Sequence, residues 1–476
     1  MVSNTKTSIT KIFEKWSGEP ALSFDPLPQS GSYREYYRLK SQSKSALGVL
    51  NPDRKENIAF LGFSKHFRMQ EFDVPEVYAE NLDASVYLIQ DLGDTTLYSF
   101  LSQVYKNGIF PKNLIDIYKQ VVAILPRFQV LAGRDLDYSI CYPRSRFDKR
   151  SMMWDLNYFK YYFLKLARVS FDEQELEDDF QKFSDFLLTA NCNYFLYRDF
   201  QSRNIMLFDG KPYFIDYQGG RKGALQYDLA SLLYDAKADI PQHIREDLLY
   251  EYMKNLRTII DFDEKEFLGY FWGYVLIRIM QAMGSYGFRG FYEKKEHFLK
   301  SIPYATANLD WILSHIQLPV NVPTLTGVLR NIVDSPKLKA IGGGQNRLKV
   351  TVNSFAYKRG IPVDLSGNSG GFVFDCRGIL NPGRYEKYKN LTGNDAPVID
   401  FFKTETNIDE FLENVYRVVD PSVENYVARK FTDLMINFGC TGGQHRSVYC
   451  ANAFADHLKS KYSVEVVLRH LALENE

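Results

Sequence analysis

Two short apolar runs and the polar residues beside them constrain the fold of this chain more than any other stretch. Residues 205–208 and 213–215 are apolar and are separated by D-G-K-P, so they predict a β-hairpin. Asn204 lies at the entrance of this hairpin and Asp216 at its exit. Amide and carboxylate oxygens are ligands that Mg²⁺ prefers, so the two residues form a predicted metal site.

Asp199 precedes Asn204 in the pattern R-D-x-x-x-x-N. This spacing fits a tight loop that aims one side chain at a hydroxyl group and the other toward a metal ion. Each residue alone would be typical of a turn, a cap or a strand end. The hairpin, I-D-Y-Q and then Y-D-L-A-S-L-L at 227–233 follow in order, and the whole set favours a functional interpretation.

With this set the chain resembles the aminoglycoside phosphotransferase-like kinases, and within them the bacterial anomeric sugar kinases for N-acetylmuramic acid and N-acetylglucosamine. The likeness covers roughly the first 330 residues and includes S-G-S-Y-R-E-Y-Y-R-L at 30–39 and Y-L-I-Q-D-L-G-D at 87–94. It implies an α+β bilobal protein-kinase-like domain, with ATP and Mg²⁺ as cofactors and a small sugar as the phosphate acceptor.

The resemblance also implies roles for single residues. Asp199 would be the catalytic base, Asn204 and Asp216 would bind Mg²⁺, and Asp228 would be a structural carboxylate behind the site. The loop over the phosphates would be formed by Ser30, Gly31, Ser32 and Arg34. We predict that substrate is bound by Asp148, Asp155 and Arg198.

The chain departs from the kinase pattern at two positions. The strand predicted at 45–52 offers no inward-pointing Lys, and Tyr197 stands where a His usually precedes the Arg-Asp pair. We expect kinase activity to be retained with Tyr197, because this position supports the loop and takes no part in the chemistry. The cation that replaces the Lys stays open among Arg34, Arg38, Lys44, Arg54 and Lys55.

An aromatic-rich helix is predicted to follow F-D at 147–148. Its aromatic side chains could stack on a sugar, but aromatic residues at helical spacing are more often core, and we favour the core interpretation. These residues are Trp154, Tyr158, Tyr161 and Tyr162. Asp155 is the better candidate for a sugar contact, since a carboxylate among apolar neighbours needs a partner.

Composition agrees with a soluble, cytoplasmic enzyme. The 58 basic and 58 acidic residues give no overall field that would favour nucleic acid or an anionic membrane. The first residues lack a secretory apolar region, and no run of about 18 apolar residues indicates a membrane span. Five scattered cysteines suit a reducing compartment rather than a disulfide framework.

Pro and Gly residues predict a boundary near residue 340. We assign residues 1–335 to the kinase-like domain, 336–346 to a linker and 347–476 to a second domain. The second domain reads as strands at 348–355, 371–376, 434–438 and 464–468, with helices at 408–419, 421–432 and 447–461. Strands that alternate with helices indicate a small α/β domain with a largely parallel sheet.

The segment G-C-T-G-G-Q-H-R-S at 439–447 is the chemical focus of the second domain. It lies between a predicted strand and a predicted helix, where backbone N–H groups converge on an anion. Side chains of His and Arg add donors. The predicted anion site comprises Cys440, Thr441, Gly442, Gly443, Gln444, His445, Arg446 and Ser447.

Two resemblances compete for this segment. C-x-x-x-x-x-R-S matches cysteine-dependent phosphatases, in which a thiolate attacks phosphorus. A longer match over about 347–471, with F-V-F-D-C-R at 372–377 and L-T-G-N-D-A-P-V-I-D at 391–400, resembles the C-terminal domain of the RapZ family. That likeness implies binding of an amino-sugar phosphate or nucleotide sugar and of small RNA.

RNA binding has weaker support than the sugar-phosphate site. From residue 330 to the end there are 19 basic and 17 acidic residues, and no G-x-x-x-x-G-K-[ST] motif occurs in the chain. The combined hypothesis is a kinase for cell-wall amino sugars, in peptidoglycan recycling, with an amino-sugar-phosphate-binding regulatory domain. The alternative is a non-catalytic adaptor that binds RNA or a metabolite.

Overall fold

The computed structural model describes residues 2–28, 34–105, 110–343, 348–364, 371–429, 431 and 433–474. The chain forms two compact units, one of Met1–Phe288 with Ser301–Leu338 and one of Arg289–Lys300 with Lys339–Glu476. The predicted loop residues Ser30, Gly31 and Ser32 lie outside the described residues. Within the described ranges, no helix is long and apolar enough to cross a membrane.

The first unit begins with an antiparallel sheet in the strand order β1-β2-β3-β5-β4. Its elements are α1 (Val2–Ser17), β1 (Ser23–Pro26), β2 (Glu35–Lys40), β3 (Ser45–Leu50), α2 (Arg54–Met69), β4 (Val77–Asn81) and β5 (Val86–Ile89). Helix α1 packs Ile9 against one face of the sheet, so closely that a Cβ on Gly48 would lie 2.3 Å from Ile9 Cγ2. On the other face, Phe60 of α2 stacks on Tyr87 of β5.

A helical region with two small sheets follows. Its helices are α3 (Leu97–Val104), α4 (Lys112–Pro126), α5 (Lys149–Phe159), α6 (Lys165–Ala167), α7 (Glu173–Leu188), α8 (Gln226–Leu233), α9 (Gln242–Arg257), α10 (Glu264–Tyr286), α12 (Ile302–His315) and α13 (Pro323–Asp334). Helix α11 (Glu296–Leu299) belongs to the second unit, and residues 336–343, which the sequence marks as linker, form α14 (Pro336–Gly343). The sheet followed by a helical lobe confirms the α+β bilobal fold.

The two small sheets of this region shape the cleft. Strand β6 (Tyr194–Leu196) pairs with β9 (Arg221–Gly223), and β7 (Ile205–Phe208) pairs with β8 (Lys211–Phe214). The second pair confirms the predicted hairpin. Its turn places Asp209 at φ 50° and Gly210 at φ 74°, the two positive values that a tight hairpin turn requires.

The buried carboxyl group of Asp228 on α8 fixes the path of the segment between β6 and β7. It accepts backbone N–H bonds from Tyr197 at 2.8 Å and from Arg198 at 3.0 Å. Gln129 donates to it at 3.2 Å. Burial raises the pKa of Asp228 to about 7. This carboxyl group is the structural one that the sequence predicts behind the site.

The second unit is a four-stranded, wholly parallel sheet in the order β11-β12-β10-β13. Its remaining elements are β10 (Lys349–Ala356), β11 (Gly371–Asp375), α15 (Ala396–Glu405), α16 (Ile408–Ala428), β12 (Asp433–Cys440), α17 (Arg446–Lys461) and β13 (Glu465–His470). The prediction of a parallel α/β domain is therefore confirmed.

One boundary prediction in the second unit is wrong. The sequence suggests separate helices at 408–419 and 421–432, but α16 is a single helix with Pro421 inside it. Proline removes one backbone hydrogen bond from a helix interior. Val419 and Val423 on either side are both buried in the core of the unit, so packing outweighs that local loss.

We expect Asp228→Asn to destabilise the first unit by about 1–3 kcal/mol, because the amide nitrogen would face a backbone N–H donor. The contribution of the parent carboxyl is complete below its unfolded pKa of 3.8 and is lost as pH rises through about 7. The destabilisation relative to the parent should therefore shrink between pH 5 and pH 8. Urea unfolding followed by tryptophan fluorescence measures this, since all four Trp residues lie in the first unit.

Asp178→Asn is the matched control, because Asp178 is an exposed carboxylate on α7. It should unfold like the parent at every pH. A stable Asp228→Asn variant, or a loss that does not change with pH, would contradict the assigned role.

Candidate active site

The segment from Tyr197 to Asn204 presents Asp199 at the end of β6. Asp199 is half-buried, and among the described residues none donates a hydrogen bond to its carboxylate. Arg198 beside it has φ 81°, and Asp216 has φ 69°. Left-handed backbone is unusual for residues of this size and collects at functional sites. Hydrogen bonds from the main chain to Asp228 hold Arg198 in this conformation.

Asn204 links the main chain of Asp199 to the side chain of Asp216. Its Nδ2 donates to the main-chain oxygen of Asp199 at 2.8 Å and to Asp216 Oδ2 at 3.2 Å. Because both partners can only accept, the orientation of the amide is fixed. Asn204 Oδ1 is left as an oxygen ligand beside the carboxylate of Asp216.

Asp216 lies where several charged groups converge. Gln218 Nε2 donates to its Oδ1 at 2.7 Å, and Arg34 Nη1 lies 3.7 Å from the same oxygen. Desolvation in the cleft, and then the nearby Asp199 carboxylate, raise the pKa of Asp216. Its side chain nevertheless keeps 37% of its surface exposed, so a cation can reach it.

Of the cations that the sequence left open, Arg34 lies beside Asp216. Its side chain is only 4% exposed and forms an ion pair with Glu56 on α2, with 2.9 Å between Nη2 and Oε1. Asn51 donates to the other oxygen of Glu56 at 2.8 Å. Val49 of β3 lies opposite Tyr36 of β2 and Tyr87 of β5, on the same face of the sheet. The position on β3 at which kinases carry a Lys is therefore occupied by an apolar residue.

Three of the other candidates make their contacts elsewhere. Arg38 pairs with Asp91 and Asp94, Lys44 donates to the main chain of Ser17, and Arg54 pairs with the exposed Asp83. None of these contacts involves Asp216. Glu56 was missed at the sequence level, although its place in the first turn of the helix after N-P-D is a usable signal.

The donor set can be tested against Mg²⁺. In the described ranges, no three His, Cys, Asp or Glu side chains come together to hold a metal ion. Asn204 and Asp216 alone offer two adjacent oxygen ligands. Mg²⁺ is commonly held by one or two protein oxygens, with phosphate oxygens and water completing its shell. The residues present therefore fit a metal ion that arrives with a nucleotide.

The predicted substrate residues separate into two environments. Arg198 Nη2 lies 2.7 Å from Asp155 Oδ1, and Asp155 is only 1% exposed. Burial raises the pKa of Asp155, and Arg198 opposes this shift. Asp148 instead caps α5 by accepting from the backbone N–H of Ser151, and it pairs with Arg144. The structure brings Asp155 and Arg198 together and places Asp148 at the start of the same helix.

The core interpretation of the aromatic residues near Asp155 is wrong for most of them. Trp154 is 68% exposed, and Tyr161 and Tyr162 are also exposed. Tyr158 is half-buried between Trp154 and Tyr162, with its ring stacked on that of Trp154. Helical spacing identified the stripe but not its direction, because α5 and the π-helical turn Lys160–Leu164 after it present this stripe to solvent.

In the second unit, the segment after β12 lies at the carboxyl end of the parallel sheet. Gly443 has φ 74°, and a Cβ on it would lie 2.4 Å from Ala472 Cβ, so this position requires glycine. No side chain caps the first turn of α17. The N–H groups of such a turn have no intrahelical acceptor and favour an anion.

The polar side chains of this segment are largely occupied by main-chain oxygens. Gln444 donates to Lys389 and Leu391, and His445 Nε2 lies 3.0 Å from the oxygen of Tyr388. Arg446 Nη1 donates to the oxygens of residues 377 and 379. The side chains thus brace the loop, and its backbone N–H groups remain the chief donors toward a ligand.

Cys440 is buried and bound within this loop. Gly443 N donates to its Sγ at 3.2 Å, and Ser447 Oγ lies 3.1 Å away. Arg446 directs Nη1 at backbone carbonyls, whereas a phosphatase of the C-x-x-x-x-x-R-S type needs that group for its phosphate. The geometry therefore speaks against nucleophilic attack by Cys440.

Comparison with known families gives two matches. The model of the phosphotransferase enzyme family matches residues 26–263, which is half of the chain. The RapZ C-terminal domain matches residues 348–474. Both regions were predicted from the sequence, whereas the narrower anomeric sugar kinase type is not addressed by these matches.

Curated relatives match only part of the chain. A nucleotide-binding protein of Thermotoga neapolitana is 36% identical over 146 residues, 31% of this chain and 48% of its own length. The RNase adapter protein RapZ of Hamiltonella defensa is 30% identical over 178 residues, 37% of this chain and 59% of its own length. The chain thus spans about half the length of the curated relatives that it matches.

Among solved structures, a choline kinase from Cryptosporidium parvum has a TM-score of 0.44 at 9% identity. The match covers 65% of this chain and 93% of that one. From the family match over half of its length, this chain belongs to the phosphotransferase enzyme family, and it also carries a RapZ C-terminal domain.

Proposed function

We propose that the first unit is an ATP-dependent kinase that phosphorylates the anomeric hydroxyl of N-acetylmuramic acid, N-acetylglucosamine or a similar sugar. The observation that carries this proposal is the convergence of Asp199, Asn204 and Asp216 at one cleft, with hydrogen bonds linking all three. A chain that only bound nucleotide would have no need of an unpartnered carboxylate at Asp199.

Each group has a defined task in the proposed reaction. Asp199 orients the sugar hydroxyl and accepts its proton, which then passes to water. The hydroxyl oxygen bonds to the γ-phosphorus as the bond from that phosphorus to the bridging oxygen breaks, and ADP leaves with the electron pair. Mg²⁺ held by Asn204 and Asp216 would supply charge neutralisation for the phosphates.

Arg34 takes the place of the usual phosphate-binding Lys in this proposal. It is anchored by Glu56 and lies beside Asp216, so its charge is held at the metal end of the cleft. A guanidinium group is always protonated and matches phosphate oxygens with a planar fork. Ser30, Gly31 and Ser32 would complete the phosphate loop.

For the second unit we propose a binding site for an amino-sugar phosphate or nucleotide sugar at residues 440–447. Support comes from the uncapped start of α17 and from glycines that let backbone N–H groups approach an anion. Such a site would couple kinase activity to amino-sugar levels in cell-wall recycling. An RNA-binding adaptor role is supported by the name of one relative. It is opposed by the small excess of basic over acidic residues from residue 330 to the end.

The sugar kinase proposal predicts a new ³¹P NMR signal from a sugar 1-phosphate when the protein is mixed with ATP, Mg²⁺ and N-acetylmuramic acid or N-acetylglucosamine. Asp199→Asn should reduce the rate by about 100-fold or more, because the proton acceptor is lost. Tryptophan fluorescence of the variant checks that the first unit is folded. If the parent phosphorylates no sugar, the acceptor assignment is wrong, and pull-down of RNA becomes the test of the adaptor role.

Arg34→Met should lower kcat/KM for ATP by about 100-fold, the scale for loss of a preorganised charge at a reacting phosphate. Arg54→Met is the matched control, because Arg54 lies on the same helix as Glu56 but pairs with the exposed Asp83. Initial-rate kinetics with varied ATP measure both. Equal activity of the two variants would remove Arg34 from the phosphate site.

Gly442 allows a clean test of the second site, since a Cβ there would meet no atom within 4 Å. Gly442→Asp adds a negative charge to the loop and should weaken binding of glucosamine 6-phosphate or a nucleotide sugar by at least about 10-fold. Gly442→Ala adds only the methyl group and should bind like the parent. Titration calorimetry on the full chain decides, and unchanged binding in Gly442→Asp would place the ligand elsewhere.

A further inference from the structure

Arg221 opens β9 directly beside the catalytic segment. In the ladder between β6 and β9 it lies opposite Leu196, and Tyr197 to Asp199 follow at once. A Cβ built on Gly219 would lie 3.9 Å from both Arg198 Cβ and Arg221 Nη2. The guanidinium group of Arg221 is therefore a neighbour of the segment that presents Asp199.

Arg221 has little to neutralise it within the described part of the chain. The residue is only 7% exposed, yet it forms no ion pair with any described carboxylate. Its one hydrogen bond to a described residue runs from Nε to the main-chain oxygen of Gly219 at 2.9 Å. Burial, and then the charge of Arg198, lower the pKa of Arg221, while Tyr227, Asp155 and Asp199 oppose this shift. A charge taken out of water without a partner is costly, so its retention here calls for a ligand.

Among the described residues, each of two neighbouring arginines makes more hydrogen bonds than Arg221. Arg198 is paired with Asp155 and also donates to the hydroxyl of Tyr227 at 2.6 Å. Arg278 on α10 donates to Ser231 and Gln281, both neutral. Across the described residues, Arg198 forms the one ion pair among these three arginines, and Arg221 and Arg278 form none. Against the carboxylates of Asp155 and Asp199, the three arginines leave an excess of one positive charge.

We propose that Arg221 binds a carboxylate on the acceptor sugar and so selects acidic over neutral sugars. The proposal rests on the sugar kinase activity proposed above. With Nε held by Gly219, the two terminal nitrogens of Arg221 form a planar fork that matches two carboxylate oxygens. The nucleotide side of the cleft already has Arg34, which leaves the charge of Arg221 to the acceptor.

The test compares three acceptors that share a ring and differ in charge: N-acetylmuramate, its methyl ester and N-acetylglucosamine. The parent should prefer the acid over its ester in kcat/KM by roughly 10-fold to 100-fold, the scale of a charge-assisted hydrogen-bonded pair. Arg221→Gln should abolish this preference through a higher KM for the acid and leave both neutral acceptors unchanged. The ratio within one variant is independent of how much protein is folded.

Arg146→Gln is the matched control. Arg146 is exposed and lies beside Lys222, the residue after Arg221, in an isolated bridge. It should keep the preference of the parent. Equal losses for all three acceptors in Arg221→Gln would indicate a structural or transition-state role and overturn the proposal, as would a parent that treats acid and ester alike.

A readout without turnover separates this inference from the sugar kinase proposal. If none of the three sugars is phosphorylated, that proposal fails, and titration calorimetry with N-acetylmuramate on the full chain still decides about Arg221. Binding of the acid that weakens at least about 10-fold in Arg221→Gln would support the carboxylate site. Absence of binding to the parent would overturn it.

Discussion

The candidate site depends on one buried carboxyl group that binds main chain rather than substrate. Asp228 accepts N–H bonds from two consecutive residues, Tyr197 and Arg198, which fixes the orientation of the peptide between them. Asp199 follows immediately, so its direction is set by backbone geometry and not by a side-chain contact. The left-handed conformation of Arg198 is tolerated because these bonds hold it.

A second network connects the sheet lobe to the helical lobe. Arg34 lies directly before β2, forms an ion pair with Glu56 on α2 and approaches Asp216, to which Asn204 also donates. The charged groups at the site therefore come from elements that are far apart in sequence. A shift of α2 alone would loosen Arg34 and alter the surroundings of Asp216, so the position of this helix and the charge of the site are linked.

The sequence was sufficient where the signals are local. The D-G turn predicted the hairpin, strand and helix alternation predicted the parallel sheet, and the order of Asp199, Asn204 and Asp216 predicted their meeting. The sequence was insufficient where the position of a side chain depends on contacts between residues far apart in the chain. Spacing alone left five cations open, and Arg34 is distinguished in the fold by its approach to Asp216 and its ion pair with Glu56 on α2.

The packing of the aromatic stripe and of the side chains at 440–447 could not be predicted from the local sequence, for the same physical reason. A helical stripe has the same spacing whether it faces the core or solvent, and only the packing of α5 exposes Trp154. Likewise, the sequence predicts His445 and Arg446 as side-chain donors to a ligand, and in the fold both contact main-chain oxygens. His445 lies against the oxygen of Tyr388, and Arg446 donates to the oxygens of residues 377 and 379.

The division of the chain into units has a practical side. Residues 289–300 belong to the second unit although they precede α12 of the first. A fragment that ends at 335 would retain this piece without the unit to which it belongs, and a fragment that begins at 347 would lack it. Neither half can be obtained intact by a single cut in the chain, so studies of one half alone need a fragment that transplants or replaces this twelve-residue insertion.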